Sequence, residues 1–143
     1  MGTTTFSGPV KAGTVREGTG INTGSVLMAQ SAVIDIIGAT NTTAVGIIPA
    51  NSQIVDVILN VTTASNDGGA ATVKIGHVGD DDEYLAATNA KAVGTTRGTI
   101  GADGTDIGTS DQTVNAIYTA ANGNGNAGAA TVTVLYIQNN NLS

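Results

Sequence analysis

The chain contains no cysteine and no tryptophan, and it has one phenylalanine and three tyrosines among its 143 residues. Without cysteine it can form neither a disulfide framework nor a zinc–thiolate site, and it holds no thiol nucleophile. The shortage of aromatic rings argues against a large aromatic ligand pocket. It also disfavours a carbohydrate-binding β-sandwich, which would usually present aromatic stacking platforms.

Basic residues are scarce as well, with five Lys and Arg against eleven Asp and Glu, for a net charge of −6. Phosphate contacts need clustered Lys or Arg, so nucleic acid is not expected as a partner. The longest nearly apolar stretch, residues 25–38, is interrupted by Gln30, Ser31 and Asp35. It falls short of the about 20 residues that span a bilayer, so no membrane association is expected.

What the chain does have is glycine, at 20 positions, and an apolar fraction of 41 % built mostly from Val, Ile and Ala. These residue types are typical of thin, tightly interleaved β layers. Seven β-rich runs are separated by clusters of Gly, Asn, Asp and Pro; they cover residues 25–37, 44–48, 53–62, 71–78, 95–100, 112–119 and 129–138. Residues 84–93 contain enough Ala and Leu to compete as a short helix.

The pattern predicts an all-β fold, an antiparallel β-sandwich of jelly-roll-like type, over residues 25–138. Residues 1–24 show no sustained period and are interpreted as an extended N-terminal arm, with a disordered terminus as the alternative. Residues 139–143 form a polar C-terminal tail.

Two strands carry most of the patterning. Val55, Val57, Leu59 and Val61 all fall on one face of the third run, which predicts a half-buried strand. Residues 135–137 are apolar on both faces, so the last run is expected to be a central strand.

The sequence contains an internal echo, which is a match between segments 59 positions apart: residues 55–58 align with 114–117, and residues 70–73 align with 129–132. This echo favours two equivalent hairpins whose tips are residues 64–69 and 123–128, both rich in small and polar residues.

Candidate chemical motifs are few. Residues 123–128 match G-x-G-x-x-G, but a β-rich run follows where a dinucleotide site needs a helix, so a glycine-rich tip is favoured. His77 lies near the acidic run Asp80 to Glu83, but the sequence has no Gly-x-Ser-x-Gly elbow that would supply a nucleophile for a histidine base. No catalytic residue and no enzymatic activity are therefore expected. The acidic run lacks the spacing of a calcium loop and is interpreted as a solvated turn, with Ca²⁺ binding left open. No metal or cofactor is expected.

Self-association is a further expectation, because the apolar residues exceed what one small core requires and because sheets leave edges that partner chains can cover. The candidate oligomer-interface residues are Ile34, Ile36, Val45, Ile47 and Ile48. A homotrimer is the predicted state.

Three segments carry a resemblance to a known group. Residues 5–14, beginning Thr5-Phe6-Ser7-Gly8-Pro9-Val10, resemble the N-terminal stretch of small virion structural proteins of tailed phages. Residues 48–57, with 71–76, are similar to that group's entry into a β-hairpin, and residues 128–137 to its closing strand. Asn51 stands where such entries often carry Gly, and residues 98–108 have no clear counterpart.

The resemblance implies a capsid decoration or cement protein, made in the host cytoplasm, that sits on the outer capsid surface and clamps neighbouring major capsid protein subunits, commonly as a trimer. A tail, neck or head-fibre component is the alternative. The arm is then expected to be mobile in the free protein and to become ordered on the shell. Its candidate capsid contacts are Phe6, Pro9, Val10, Lys11 and Arg16, and two of the five basic residues of the chain fall among them.

Overall fold

The computed structural model describes residues 26–100 and 106–138. The predicted arm and the predicted polar tail lie outside these residues. So do the five candidate capsid contacts Phe6, Pro9, Val10, Lys11 and Arg16.

The described residues form eight β-strands, which are β1 (Leu27–Asp35), β2 (Asn41–Ile48), β3 (Ser52–Thr63), β4 (Ala71–His77), β5 (Asp80–Asn89), β6 (Gly94–Arg97), β7 (Gln112–Ala120) and β8 (Ala129–Gln138). The seven predicted runs correspond to all of these strands except β5. No helix in this part of the chain is long and apolar enough to cross a membrane.

The strands make two four-stranded antiparallel sheets, with order β1-β8-β3-β6 in sheet 1 and β2-β7-β4-β5 in sheet 2. The first strand pairs with the last, the second with the seventh, the third with the sixth and the fourth with the fifth. This nested pairing is that of one long hairpin rolled into two layers, which is a jelly roll. The prediction of an all-β antiparallel sandwich is confirmed.

The core lies between the inner faces of the two sheets. Side chains alternate between the two faces from Val57 to Val61 of β3 and from Ala71 to Ile75 of β4. Val57, Leu59 and Val61 therefore face the interior from one sheet and Val73 and Ile75 from the other, all at most 3 % exposed. Aliphatic residues of similar length suit this interface because sheets pack about 10 Å apart. The three tyrosines are buried at its margins.

The two ends of the sandwich differ. The loop end holds the connections that cross from one sheet to the other after β1, β3, β5 and β7. The terminal end holds the start of β1 and the end of β8, which are paired at Leu27 and Ile137. The first and last described residues, Val26 and Gln138, therefore lie on the same side of the fold.

The structure corrects the interpretation of residues 84–93. Residues 80–89 form the edge strand β5, paired with β4 through Thr88 opposite Val73 and Leu85 opposite Ile75. Two register shifts in this pairing let Tyr84 and Leu85 both point inward. Those shifts erase the alternation that would have marked a strand, and pairing with β4 outweighs the helix propensity of Ala and Leu.

Two further expectations about strands were wrong. The register of β3 shifts between Ile54 and Asp56, so Val55 faces outward and is 49 % exposed, while Ile54 is buried. The two echoed units are not hairpins, because β3 and β4 lie in different sheets, as do β7 and β8. The expectation that β8 is central is confirmed, since it lies between β1 and β3.

Candidate functional site

Asp67 organises the loop end of the sandwich. It is 2 % exposed, and its carboxylate accepts backbone N–H bonds from Gly69 at 2.8 Å, Asn124 at 3.0 Å and Asn122 at 3.2 Å. Burial alone would raise the pKa of Asp67, but these N–H groups favour the charged form and hold the pKa below its ordinary value. A charged carboxylate thus joins the loop after β3 to the loop after β7.

The neighbouring Asn66 repeats the same cross-loop bonding. Its Oδ1 accepts N–H bonds from Asn126 at 2.8 Å and Ala127 at 3.0 Å, and its Nδ2 donates to Asn126 Oδ1 at 2.7 Å. Beneath it, the hydroxyls of Ser65 and Tyr118 are 2.8 Å apart and buried. The loop end is therefore held together mainly by the side chains of Asn66 and Asp67, which bond to backbone N–H groups of the loop after β7.

The G-x-G-x-x-G motif lies in this cluster. Residues 123–128 connect β7 of one sheet to β8 of the other, and a strand follows them, as the sequence predicted. Gly128 has φ of +150°, and a Cβ there would lie 2.4 Å from the Ile36 carbonyl oxygen. The glycine is required by the close approach of this loop to the chain after β1, which is a structural role.

A cavity of about 340 Å³ opens at the terminal end and is lined by His77, Val78, Ile107, Ser110, Asp111, Gln112 and Thr113. His77 Nδ1 lies 2.8 Å from the Val78 carbonyl oxygen. A carbonyl only accepts, so Nδ1 carries the proton. In the part of the chain that the structure describes, no hydrogen bond joins this ring to a hydroxyl, so no nucleophile is paired with it.

Tyr84 stands beside this cavity. Its hydroxyl donates to Gln112 Oε1, and its ring centroid is 6.0 Å from that of His77. Burial, together with the carboxylates of Glu83 and Asp80, raises the pKa of Tyr84 to about 12. The phenol therefore stays neutral at physiological pH and serves as a hydrogen-bond donor.

The acidic run belongs to the first half of edge strand β5 rather than to a turn. The carboxylates of Asp80, Asp81 and Asp82 approach within 4.8 Å of one another and all three residues are exposed. Asp81 is paired with the Lys74 ammonium of the neighbouring strand. Charged side chains on an edge strand discourage pairing with the sheets of other molecules, and this accounts for the run without a ligand.

An apolar patch lies on the outer face of sheet 1 at the terminal end. It consists of Leu27, Val55, Leu135 and Ile137, of which Leu27 is 53 % and Val55 49 % exposed. Leu27 is opposite Ile137 in the β1–β8 pairing, and Leu135 lies beside the β3 bulge that turns Val55 outward. The apolarity of residues 135–137 on both faces was the sequence signal for this patch, and it was read only as a sign of a central strand.

The candidate oligomer-interface residues separate into two groups. Ile34, Ile36, Val45 and Ile48 are at most 7 % exposed and belong to the core. The reasoning that they exceed one core was wrong, because both sheets contribute inner faces that need filling. Ile47 is 57 % exposed on edge strand β2 and is the member of the set that can face a partner.

No protein-family model and no curated protein matches the chain. Solved structures do. A chain in the acidic stable capsid structure of Helicobacter pylori bacteriophage KHP30 superposes with a TM-score of 0.65 at 20 % identity, over 81 % of this chain and 90 % of that one.

A chain in the cyanophage Pam1 capsid asymmetric unit gives a TM-score of 0.58 at 16 % identity, with 92 % of this chain and 97 % of that chain covered. The capsid of Ralstonia phage GP4 contains a chain with a TM-score of 0.51 at 20 % identity, with coverage of 82 % and 86 %. At these identities the likeness establishes a shared fold. Because the matches cover 81 to 92 % of this chain and 86 to 97 % of the matched chains, those chains are of about the same length as this one.

Proposed function

We propose that this chain is a structural component of a phage virion, and specifically a decoration or cement protein on the outer surface of the capsid shell. The observation that carries the proposal is the nearly full-length match between this jelly roll and similarly small chains in the capsids of three phages. A small chain with one sandwich and no assembled catalytic group among its described residues suits a binding role on a shell built from other subunits.

The proposed mechanism is mechanical. A protein that binds across the boundary between two major capsid protein subunits stabilises the assembled lattice by mass action, because it prefers the intact shell to the free subunits. Many weak sites acting together add avidity. We further propose a homotrimer in which the exposed Ile47 of edge strand β2 contributes to the contact between copies.

Residues 1–24 are proposed to contribute the longest-reaching contact. Phe6, Pro9 and Val10 supply apolar anchors, and Lys11 and Arg16 supply positive charge that meets acidic groups of the shell. The remaining chain carries three basic and ten acidic residues, so the segment is cationic relative to the body. Twenty-four extended residues reach up to roughly 80 Å, which is long enough to cross a subunit boundary.

The test uses virions of the phage that encodes this chain. Shells stripped of the protein should regain both the bound protein and their resistance to heat or chaotrope when the full-length chain is added back. A chain lacking residues 1–16 should keep its melting temperature and lose shell binding. Equal binding by the truncated chain would refute the role of the segment.

Copy number distinguishes the alternative virion locations. Quantitative mass spectrometry of purified particles should find this chain in a number comparable to that of the major capsid protein or a simple fraction of it. A few copies per particle would instead assign it to the tail, neck or a head fibre and would overturn the cement proposal.

A further inference from the structure

We infer that the sandwich meets the shell through the apolar patch, so that its terminal end lies against the capsid and its loop end points away. The inference rests on the proposed function and adds the orientation of the protein on the shell.

The apolar patch is a continuous surface because of strand register. The β1–β8 pairing sets Leu27 next to Ile137, and the β8–β3 pairing sets Leu135 next to the outward bulge at Val55. These residues come from three adjacent strands of one sheet, so they share one plane. Contiguous exposed apolar surface on a sheet is typical of a surface that another protein covers.

The four side chains of the apolar patch carry no charge, although the chain as a whole is acidic. Near it, the charged side chains of the described residues are Asp56, Arg97 and Asp106. Asp56 and Arg97 are paired with each other. Asp106 is exposed, lies opposite Gln53 at the edge of β3, and its Oδ1 accepts the Gly108 N–H at 2.9 Å. The exposed acidic group Asp80 to Asp82 lies on the edge of the other sheet. An uncharged centre with charged residues at the rim is the usual arrangement of a surface that another protein covers.

The outer face of sheet 2 is more polar than the apolar patch on sheet 1. Its side chains are mainly polar, namely Thr42, Thr72, Lys74, Thr113, Asn115 and Thr119, with Ile47 and Ile117 among them. At the loop end, Asn66 and Asp67 are occupied by bonds within the molecule. Neither surface offers an apolar area that matches the patch.

The point at which the N-terminal residues join the sandwich supports the capsid shell as the partner that covers the apolar patch. The 25 residues that precede Val26 join the sandwich one residue before Leu27, within the patch. The segment proposed to bind the shell therefore starts from this surface, and a partner held by that segment lies next to the patch. One apolar shell surface can then be covered by the segment and the patch together.

The experiment compares two charge-neutral variants of the full-length chain in binding to stripped shells. Leu27→Gln/Val55→Gln removes apolar surface from the patch, and Val93→Gln is the matched control, since Val93 is 67 % exposed in the loop end connection between β5 and β6. Full burial of two aliphatic side chains predicts at least about tenfold weaker binding for the double variant. The control should bind as the unaltered chain does, and both variants should sediment as it does.

The outcomes separate the two proposals. If the unaltered chain does not bind stripped shells, the proposed function fails. If it binds and the double variant binds equally well, or if Val93→Gln is the variant that loses binding, the orientation is wrong and the proposed function stands. A double variant that dissociates into monomers while still binding shells would make the patch a contact between copies and would also overturn the inference. Should the double variant fail to fold, the nearly isosteric Val55→Thr tests the same surface, with severalfold weaker binding expected.

Discussion

Gly46 and Gln30 should be energetically coupled, because the Gln30 side chain closes the gap between edge strands β1 and β2. Gln30 Nε2 donates to the Ile47 carbonyl at 2.7 Å and lies 3.2 Å from the Tyr136 hydroxyl. A Cβ at position 46 would lie 1.9 Å from Gln30 Oε1. Gly46→Ala must therefore expel this side chain.

The expected magnitude follows from the two hydrogen bonds. Each contributes about 0.5–1.5 kcal/mol, so Gln30→Ala should destabilise the fold by about 1–3 kcal/mol. Gly46→Ala loses the same bonds and regains part of that in strand propensity, since glycine in a strand interior costs about 0.5–1 kcal/mol relative to alanine. The double variant should be no less stable than Gln30→Ala, because the clash is gone.

Urea unfolding of the four proteins in this cycle measures the coupling, with unchanged m-values required for the comparison. A coupling energy of about 1 kcal/mol or more, with the double variant more stable than the sum of the single effects, is expected. Strictly additive effects would show that Gly46 is tolerated for a reason other than the space taken by Gln30, and the reasoning would be refuted.

Three further predictions concern the loop end and the core. Because the pKa of Asp67 is lowered in the folded state, the Asp67 carboxylate stabilises the fold at pH values above its ordinary pKa of 3.8, and this stabilisation is lost as the pH falls through the folded-state pKa. Asp67→Asn should therefore flatten the acid limb of a plot of melting temperature against pH. An unchanged acid limb would contradict this. Tyr118→Phe should destabilise the fold by about 1–3 kcal/mol in denaturant unfolding, because the buried Ser65 hydroxyl loses its bond to Tyr118 and keeps the one from the Asp67 N–H. A neutral effect would show that the lost bond is replaced. Leu59→Ala should lower the free energy of unfolding by about 2–5 kcal/mol, because it creates a cavity in the core. Val33→Ala, at a position 71 % exposed, should change the free energy of unfolding by less than about 0.5 kcal/mol. Similar losses for both variants would place the core elsewhere.

Local pattern was a sufficient guide wherever a strand keeps its alternation and is bounded by turn residues. The last run was predicted over 129–138, and β8 has these bounds. The inner residues of β4 and β7 follow the same rule. Each of these strands pairs with one neighbour without a register shift, β8 with β1 and β4 with β7. This pairing holds them to a period of two, so the sequence carries the signal directly.

Register shifts explain what local pattern missed. A shift turns Val55 out of the core, and two shifts bring Tyr84 and Leu85 inward together. A bulge depends on the partner strand, and that partner is distant in sequence, so no window of neighbouring residues reveals it. The outward Val55 then completes a patch that the strand pattern alone assigned to the interior.

The loop end shows the same dependence on distance. Residues 64–69 and 123–128, in the loops after β3 and β7, are predicted from composition as separate tips of small and polar residues. Their bonds to each other span 55 to 61 positions of the chain. A buried carboxylate such as Asp67 is stable only when its hydrogen-bond donors are in place. Two of its three donors, the N–H groups of Asn122 and Asn124, come from another loop.

Composition and alternation by themselves determined that this chain builds thin aliphatic β layers without thiol or large aromatic sites, because those properties belong to single residues and short periods. The tertiary structure decided which strands share a sheet, which isoleucines the chain covers for itself and where apolar side chains remain outside. Ile34 and Ile47 are chemically identical, yet one is 2 % and the other 57 % exposed. Both residues lie on edge strands, and they differ because Ile34 points into the interior, where the second sheet packs over it, whereas Ile47 points to the outer face of its sheet.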